Sequence, residues 1–247
     1  MTEYNHWVAI FVFIFGALIG SFLNVVIYRV PKGESVAFPA SHCPTCNSPL
    51  RWFHNIPIFS WIFLRGKCSF CKEIISAQYL AIEGITGILF VLLYLKIGLA
   101  WHFPFVAFSF ASLLALVMID FKYMAVPDSI NIAALLFALV QPTLPGPLFD
   151  AIYAAGGLFL IAWIASLVFK KEAMGSADVI VAGTMGALLG FPNFFVAIFL
   201  AALLALLPLL LHKDKPIPFI PFLATSTLII YVYDSQSILF LYGIIYP

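Results

Sequence analysis

Eight apolar runs, at roughly 7–28, 79–100, 103–119, 127–141, 148–169, 178–191, 193–211 and 217–246, leave this chain almost no way to fold in water. A helix needs about 20 mainly apolar residues to cross about 30 Å of hydrocarbon. Four of the runs are comfortably long enough. Only 9% of the residues are charged, against about a quarter in a soluble domain. Lipid must therefore solvate most of the surface. The expected fold is an all-α polytopic membrane protein of about eight transmembrane helices. The 127–141 and 178–191 runs are short, about 21–23 Å at 1.5 Å per residue. Their helices must thin the bilayer or begin below its surface. A cleavable signal peptide is not expected, because only His6 stands where a cationic region should be and no small-residue cleavage site follows the first run.

The basic residues fix an expected topology. Arg29, Lys32, Arg51, Arg65, Lys67 and Lys72 lie in or beside the first loop. Lys122 lies in the third, Lys170 and Lys171 in the fifth, Lys213 and Lys215 in the seventh. Lys96 is the exception, near the outer end of the second helix, where it can snorkel. The positive-inside rule makes the odd-numbered loops cytoplasmic and leaves both termini outside. Residues 32–76 are the only sizeable polar segment. The chain thus divides into a first transmembrane helix (1–31), a small cytoplasmic module (32–76) and a seven-helix membrane domain (77–247).

That module carries two C-x-x-C pairs, Cys43 with Cys46 and Cys68 with Cys71. Thiolates two residues apart reach a single tetrahedral metal, and two such knuckles at this separation read as a zinc ribbon. A segment of about 45 residues builds little core of its own, so metal would supply the folding energy. Disulfides and free thiols are the alternatives. A reducing cytoplasmic loop argues against disulfides. Four thiolates close the coordination shell, which makes the metal structural and not catalytic. With four cysteines present, His42 and His54 are not needed as ligands.

Ionisable groups at membrane depth are costly and are functional candidates by default. Glu83, Asp120, Asp128 and Asp178 stand out. Asp120 ends the third apolar run, Asp128 follows Pro127 at the start of the fourth, and Asp178 follows Gly175-Ser176-Ala177 at the start of the sixth. The topology puts all three aspartates at the cytoplasmic face. Sunken starts of the two short helices would let Asp120 and Asp178 meet in a wettable cavity. Two close carboxylates share a proton, and such a pair can activate water against a peptide carbonyl and protonate the leaving nitrogen. The simpler reading of Asp128 is a helix N-cap beside Pro127, and Asp178 can also be a cap, with Ser176 as competitor.

The chain resembles the bacterial type IV prepilin peptidases, membrane aspartic proteases that also N-methylate the new N-terminus. Residues Gly16-Ala17-Leu18-Ile19-Gly20-Ser21-Phe22-Leu23-Asn24-Val25-Val26-Ile27-Tyr28-Arg29-Val30-Pro31 resemble that family's first-helix signature. The four-cysteine module follows. Ile75 to Tyr79 and Glu83 to Gly87 are similar to the segment leading into the second helix. Asp120 with Val126-Pro127-Asp128, and Met174-Gly175-Ser176-Ala177-Asp178, resemble the two catalytic-aspartate motifs. The resemblance implies that Asp120 and Asp178 are the catalytic pair. It also implies a prepilin or pseudopilin substrate with a short basic leader cut at the cytoplasmic face of the inner membrane, and S-adenosylmethionine as methyl donor. The expected partners are such substrates and membrane lipid, with no nucleic acid. Four positions depart from the family pattern. Ala177 replaces a glycine, where its methyl group would restrict the backbone beside Asp178. Ile180 replaces a lysine, and Gln78 and Leu80 replace an arginine and a proline.

Gly16-x-x-x-Gly20 and Gly186-x-x-x-Gly190 match the small-residue motif for close helix contact, the second expected to bring the sixth transmembrane helix near the third. Asn24 is expected to hydrogen-bond a neighbouring helix, with a place facing the substrate as the alternative. Trp7, Trp101, Tyr242 and Tyr246 read as interface anchors. The competing functions are a peptidase without methyl transfer, a non-enzymatic membrane assembly factor that docks through a zinc module, and a transporter using Asp120 and Asp178 as cation sites. No matched halves support transport. The sequence lacks H-E-x-x-H and G-x-S-x-G, which argues against zinc proteases and serine hydrolases.

Overall fold

A computed structural model of the protein describes residues 5–170, 175–211 and 217–245, with the side chains of 169, 209, 211 and 234–245 left out. Met174, Lys171, Lys213, Lys215, Tyr246 and the Tyr242 side chain, all used in the sequence reading, lie outside the described residues. The fold is helical: α1 (His6–Arg29), α2 (Phe59–Phe63), α3 (Ala77–Ile97), α4 (Phe103–Tyr123), α5 (Asp128–Leu139), α6 (Gly146–Phe169), α7 (Ser176–Leu189), α8 (Asn193–Leu211) and α9 (Ile220–Ile245). Each of the eight apolar runs is a helix, and α2 is an addition within the polar module. Among the described residues, α1, α3, α4 and α6 are long and apolar enough to cross a bilayer. The described apolar parts of α5, α7, α8 and α9 are shorter.

The chain forms two compact units, Met1–Phe103 and Pro104–Pro247. In the first, α1 packs along α3. Gly16 and Gly20 explain how. A Cβ on Gly20 would stand 2.8 Å from the Glu83 Cα and 3.0 Å from the Ile82 carbonyl oxygen, and one on Gly16 would stand 2.9 Å from the Thr86 oxygen. Only glycine lets the two backbones approach so closely. Asn24 completes the seam by donating to the Gly20 and Tyr79 carbonyls at 3.3 and 3.2 Å.

In the second unit α7 is the central helix, packed against α5, α6, α8 and α9. Residues Val181 to Leu188 are all buried. Their small side chains (Ala182, Gly183, Thr184, Gly186, Ala187) let four neighbours close in. By contrast α6 turns Phe159, Leu160, Ile161, Trp163 and Ile164 outward, as a lipid-facing helix must. The α5 and α7 helices run parallel. The Asn131 amide donates to the Ala177 carbonyl at 2.9 Å near their starts, and the Gln141 amide donates to the Ala187 carbonyl at 2.6 Å near their ends. The two contacts share one residue offset, so the helices start at similar depth.

Three local expectations need correction. The close partner of Gly186 is α6 rather than α4: a Cβ there would strike the Asp150 carbonyl oxygen and lie 2.7 Å from the Ala154 Cβ. The N-cap of α5 is Pro127, with Asp128 one residue inside as an exposed first-turn acid. The N-cap of α7 is Gly175, which puts Ser176 first in the helix and Asp178 third.

Candidate functional site

The first arrangement of interest is the Asp120 and Asp178 pair, both within the Pro104–Pro247 unit. Asp120 is held by the last turn of α4, which ends where Met124 adopts a left-handed φ of 50° and donates its N–H to the Asp120 carbonyl at 2.9 Å. Its side chain is buried, at 6% exposure. The carboxylate accepts the backbone N–H of Ile220, the first residue of α9. It therefore lies at the negative end of one helix dipole and caps the positive end of another. Asp178 is half-buried in the first turn of α7 and accepts the Gly175 N–H, the third-residue half of a capping box. The two carboxylates fall within Coulombic reach of each other. Residues remote in sequence thus converge at the end of α4 and the starts of α7 and α9. Asp128 does not join them in any described contact.

Asn131 is a neighbour the sequence reading passed over. It is fully buried, its Nδ2 donates to the carbonyl of Ala177, next to Asp178, and its Oδ1 has no hydrogen-bond partner among the described residues. A lone amide in an apolar helix is itself a signal of function or helix pairing. The Ile220 contact had no sequence signal, since a backbone N–H leaves none. A hollow of about 470 Å³, lined by Asp150, Tyr153, Phe191, Phe194 and Phe195, lies at the far end of α7. It is apolar and, at 1.5 Å per residue, about 18 Å along the helix from Asp178, so it is not the carboxylate site.

The second arrangement is the four-cysteine cluster. Both knuckles fold alike. Cys43 accepts from Asn47 and donates to Ser48, while Cys68 accepts from Lys72 and donates to Glu73. Asn47 and Lys72, each directly after the second cysteine of its pair, take left-handed φ values of 53° and 62°. Isolated bridges His42–Pro49 and Lys67–Ile74 close the two loops. Gly66 has a φ of 66° and lies against the Trp61 ring. The four Sγ atoms lie within 4.8 Å of one another, with Cys43 and Cys71 3.8 Å apart and no disulfide formed. Bonds of about 2.3 Å in a tetrahedron need an S···S edge of about 3.8 Å, so the cluster fits a zinc ion. Hydrogen bonding with the Ser48 side chain and backbone draws the Cys46 thiol down to about 6. The Cys71 thiol is pushed up to about 12, the Glu73 N–H opposing and desolvation with three neighbouring sulfurs prevailing. Such crowding is relieved when a dication accepts all four sulfurs.

Glu83 serves neither arrangement. Its carboxylate accepts the Ile58 N–H at 2.7 Å and the Ser21 hydroxyl.

Residues 14–97 match the Bacterial Peptidase A24 N-terminal domain, and residues 107–210 match the Type IV leader peptidase family. The chain is similar to a protein of Aeromonas salmonicida (strain A449) named prepilin leader peptidase/N-methyltransferase, 32% identical over 87% of each chain. The chain belongs to the type IV leader peptidase family. Bacillus subtilis (strain 168) has a relative of the same name, 34% identical over 92% of this chain and 95% of its own. One from Neisseria gonorrhoeae is 34% identical over 90% of each. No solved structure matches. The family matches span the cysteine module and both aspartates.

One of the four departures from the family pattern, Ala177, is readily accommodated by the local backbone. Ala177 is the second residue of α7, where alanine is the best helix former and no left-handed φ is required. The helical backbone at Ala177 is one that alanine adopts without strain. Gln78 gives its backbone N–H to Ser76, the N-cap of α3.

Proposed function

We propose that this chain is a membrane aspartic endopeptidase that removes the leader from prepilin or pseudopilin substrates and then N-methylates the exposed N-terminus. Family membership supports the reaction class, and the convergence of Asp120 and Asp178 is the single observation that carries the chemistry. The pair shares a proton. The ionised carboxylate takes a proton from water, water attacks the scissile carbonyl, and the protonated partner passes its proton to the leaving nitrogen. Ile220 and Gly175 fix the two carboxylates through backbone N–H groups. Asn131 orders the α7 start by holding the Ala177 carbonyl.

Zinc, held by Cys43, Cys46, Cys68 and Cys71, locks the 32–76 module and takes no part in cutting. S-adenosylmethionine supplies an electrophilic methyl group to the new amine, and the names of the relatives support that second activity. The basic loops support the cytoplasmic side of the inner membrane as the place of cleavage, with both termini outside. The test is a mass spectrum of a purified prepilin incubated with the protein and S-adenosylmethionine. Loss of the leader mass and gain of a methyl group are read separately. An intact prepilin would end the reading, and a cut but unmethylated product would leave the peptidase alone.

A further inference from the structure

The segment from Arg51 to Arg65, between the two cysteine knuckles, has two faces. Pro57 is buried, and Ile58 and Trp61 are half-buried. Trp61 donates its indole N–H to the Ile75 carbonyl at 3.3 Å. The other face is bare: Trp52 is 79% exposed, Phe59 61%, Ile62 55% and Phe63 83%. Phe59, Ile62 and Phe63 share one face of α2, and so many exposed large apolar side chains in one short segment of a polar module mark an interaction surface.

Two observations say what covers it. The first is depth. Phe59 N–H bonds the Pro57 carbonyl at 2.6 Å around Ile58, whose φ of 64° and ψ of −56° make a tight γ-turn. A β-branched residue rarely tolerates that conformation. Here it aims the Ile58 N–H at Glu83. Glu83 lies six residues past the start of α3, about 9 Å along the axis. The headgroup layer outside a 30 Å core is only about 5–7 Å thick. If α3 spans the bilayer, the turn and the α2 helix behind it hang at the edge of the hydrocarbon. The second is charge. Arg51, Arg65 and Lys67 are exposed around the patch, and no acidic residue occurs between Glu34 and Glu73. Cations beside exposed aromatics are the pattern of an interfacial segment on anionic lipid.

We propose that residues 51–65 are a membrane-surface anchor. Trp52, Phe59, Ile62 and Phe63 enter the headgroup–acyl boundary, and Arg51, Arg65 and Lys67 meet anionic headgroups. Glu83 is the positioning residue that sets the depth of the turn. The apolar stretch 56–64 is too short to read as a span, so hydropathy alone passes over it.

The test places a photoreactive phenylalanine analogue at Phe59 or Phe63 of the full-length chain, in vesicles of phosphatidylcholine and phosphatidylglycerol. Phe11 on α1, 70% exposed, is the lipid-facing reference, and exposed Asn47 in the first knuckle is the water-facing one. After irradiation, mass spectrometry should find lipid adducts at Phe59 and Phe63 comparable with Phe11 and several-fold above Asn47. Replacing Glu83→Ala should lower the yield at Phe59 while leaving Phe11 unchanged. Lipid yields at Phe59 and Phe63 no higher than at Asn47 would overturn the anchor. So would adducts formed with an added prepilin in place of lipid.

Discussion

Two glycines on α7, three residues apart, should respond oppositely to the same added methyl group. At Gly186 a Cβ would meet the Asp150 carbonyl oxygen and stand 2.7 Å from the Ala154 Cβ. Carbon atoms at optimal separation stand about 3.5–4.0 Å apart, so α6 and α7 must part by about 1 Å. Overpacking of that kind costs about 1–3 kcal/mol. At Gly183 the nearest atoms stand at 3.6, 3.6 and 3.7 Å, which is ordinary contact. Gly183→Ala should therefore keep its packing and gain up to about 1 kcal/mol of helix propensity. A shift of α7 also carries Asp178. Under the proposed mechanism Asp178 is one of the reacting acids, and a displacement of about 1 Å there should cost on the order of a hundredfold in rate. Thermal unfolding in detergent and leader cleavage should be measured on both variants. Gly183→Ala should match or exceed the wild type in both, and Gly186→Ala should melt lower and cut more slowly. Equal losses in the two variants, or none in either, would refute the close α6–α7 approach.

Other consequences are as direct. Cys43→Ser or Cys68→Ser should lower bound zinc from about one ion per chain and make the 32–76 module sensitive to protease; metal analysis and limited proteolysis report this. Glu83→Ala leaves the Ile58 N–H without its acceptor, which should cost about 1–3 kcal/mol and appear as faster hydrogen exchange in residues 56–66. Asn131→Leu removes the donor to the Ala177 carbonyl and should reduce cleavage more than thermal stability. A stable Asn131→Leu protein with wild-type cleavage would make Asn131 a packing residue only.

Hydropathy gave away the eight apolar helices because a chain in lipid must satisfy every backbone group within its own helices. The cysteine spacing gave away the cluster because two-residue knuckles have little conformational choice. Other features were out of reach for stated reasons. A small-residue motif says that a face is tight but not which helix meets it, and Gly186 faces α6. Cap positions shifted by a residue or more: Pro127 and Gly175 hold the extended cap backbone, and Asp128 and Asp178 fall inside the first turns. Backbone donors such as Ile58 and Ile220 leave no trace in a side-chain pattern. The sequence reading proposed the Asp120–Asp178 pair from shared depth and from family resemblance, and the structure has the two carboxylates within Coulombic reach.

The central claim is that Asp120 and Asp178 work as one unit on one water molecule. The decisive measurement is the mass of a prepilin after incubation with Asp120→Asn and, separately, Asp178→Asn, each verified as inserted and folded. Both reactions should leave the leader attached, while the wild-type protein removes it. A shortened prepilin from both variants would contradict the claim and return the assembly-factor and transport readings to the front.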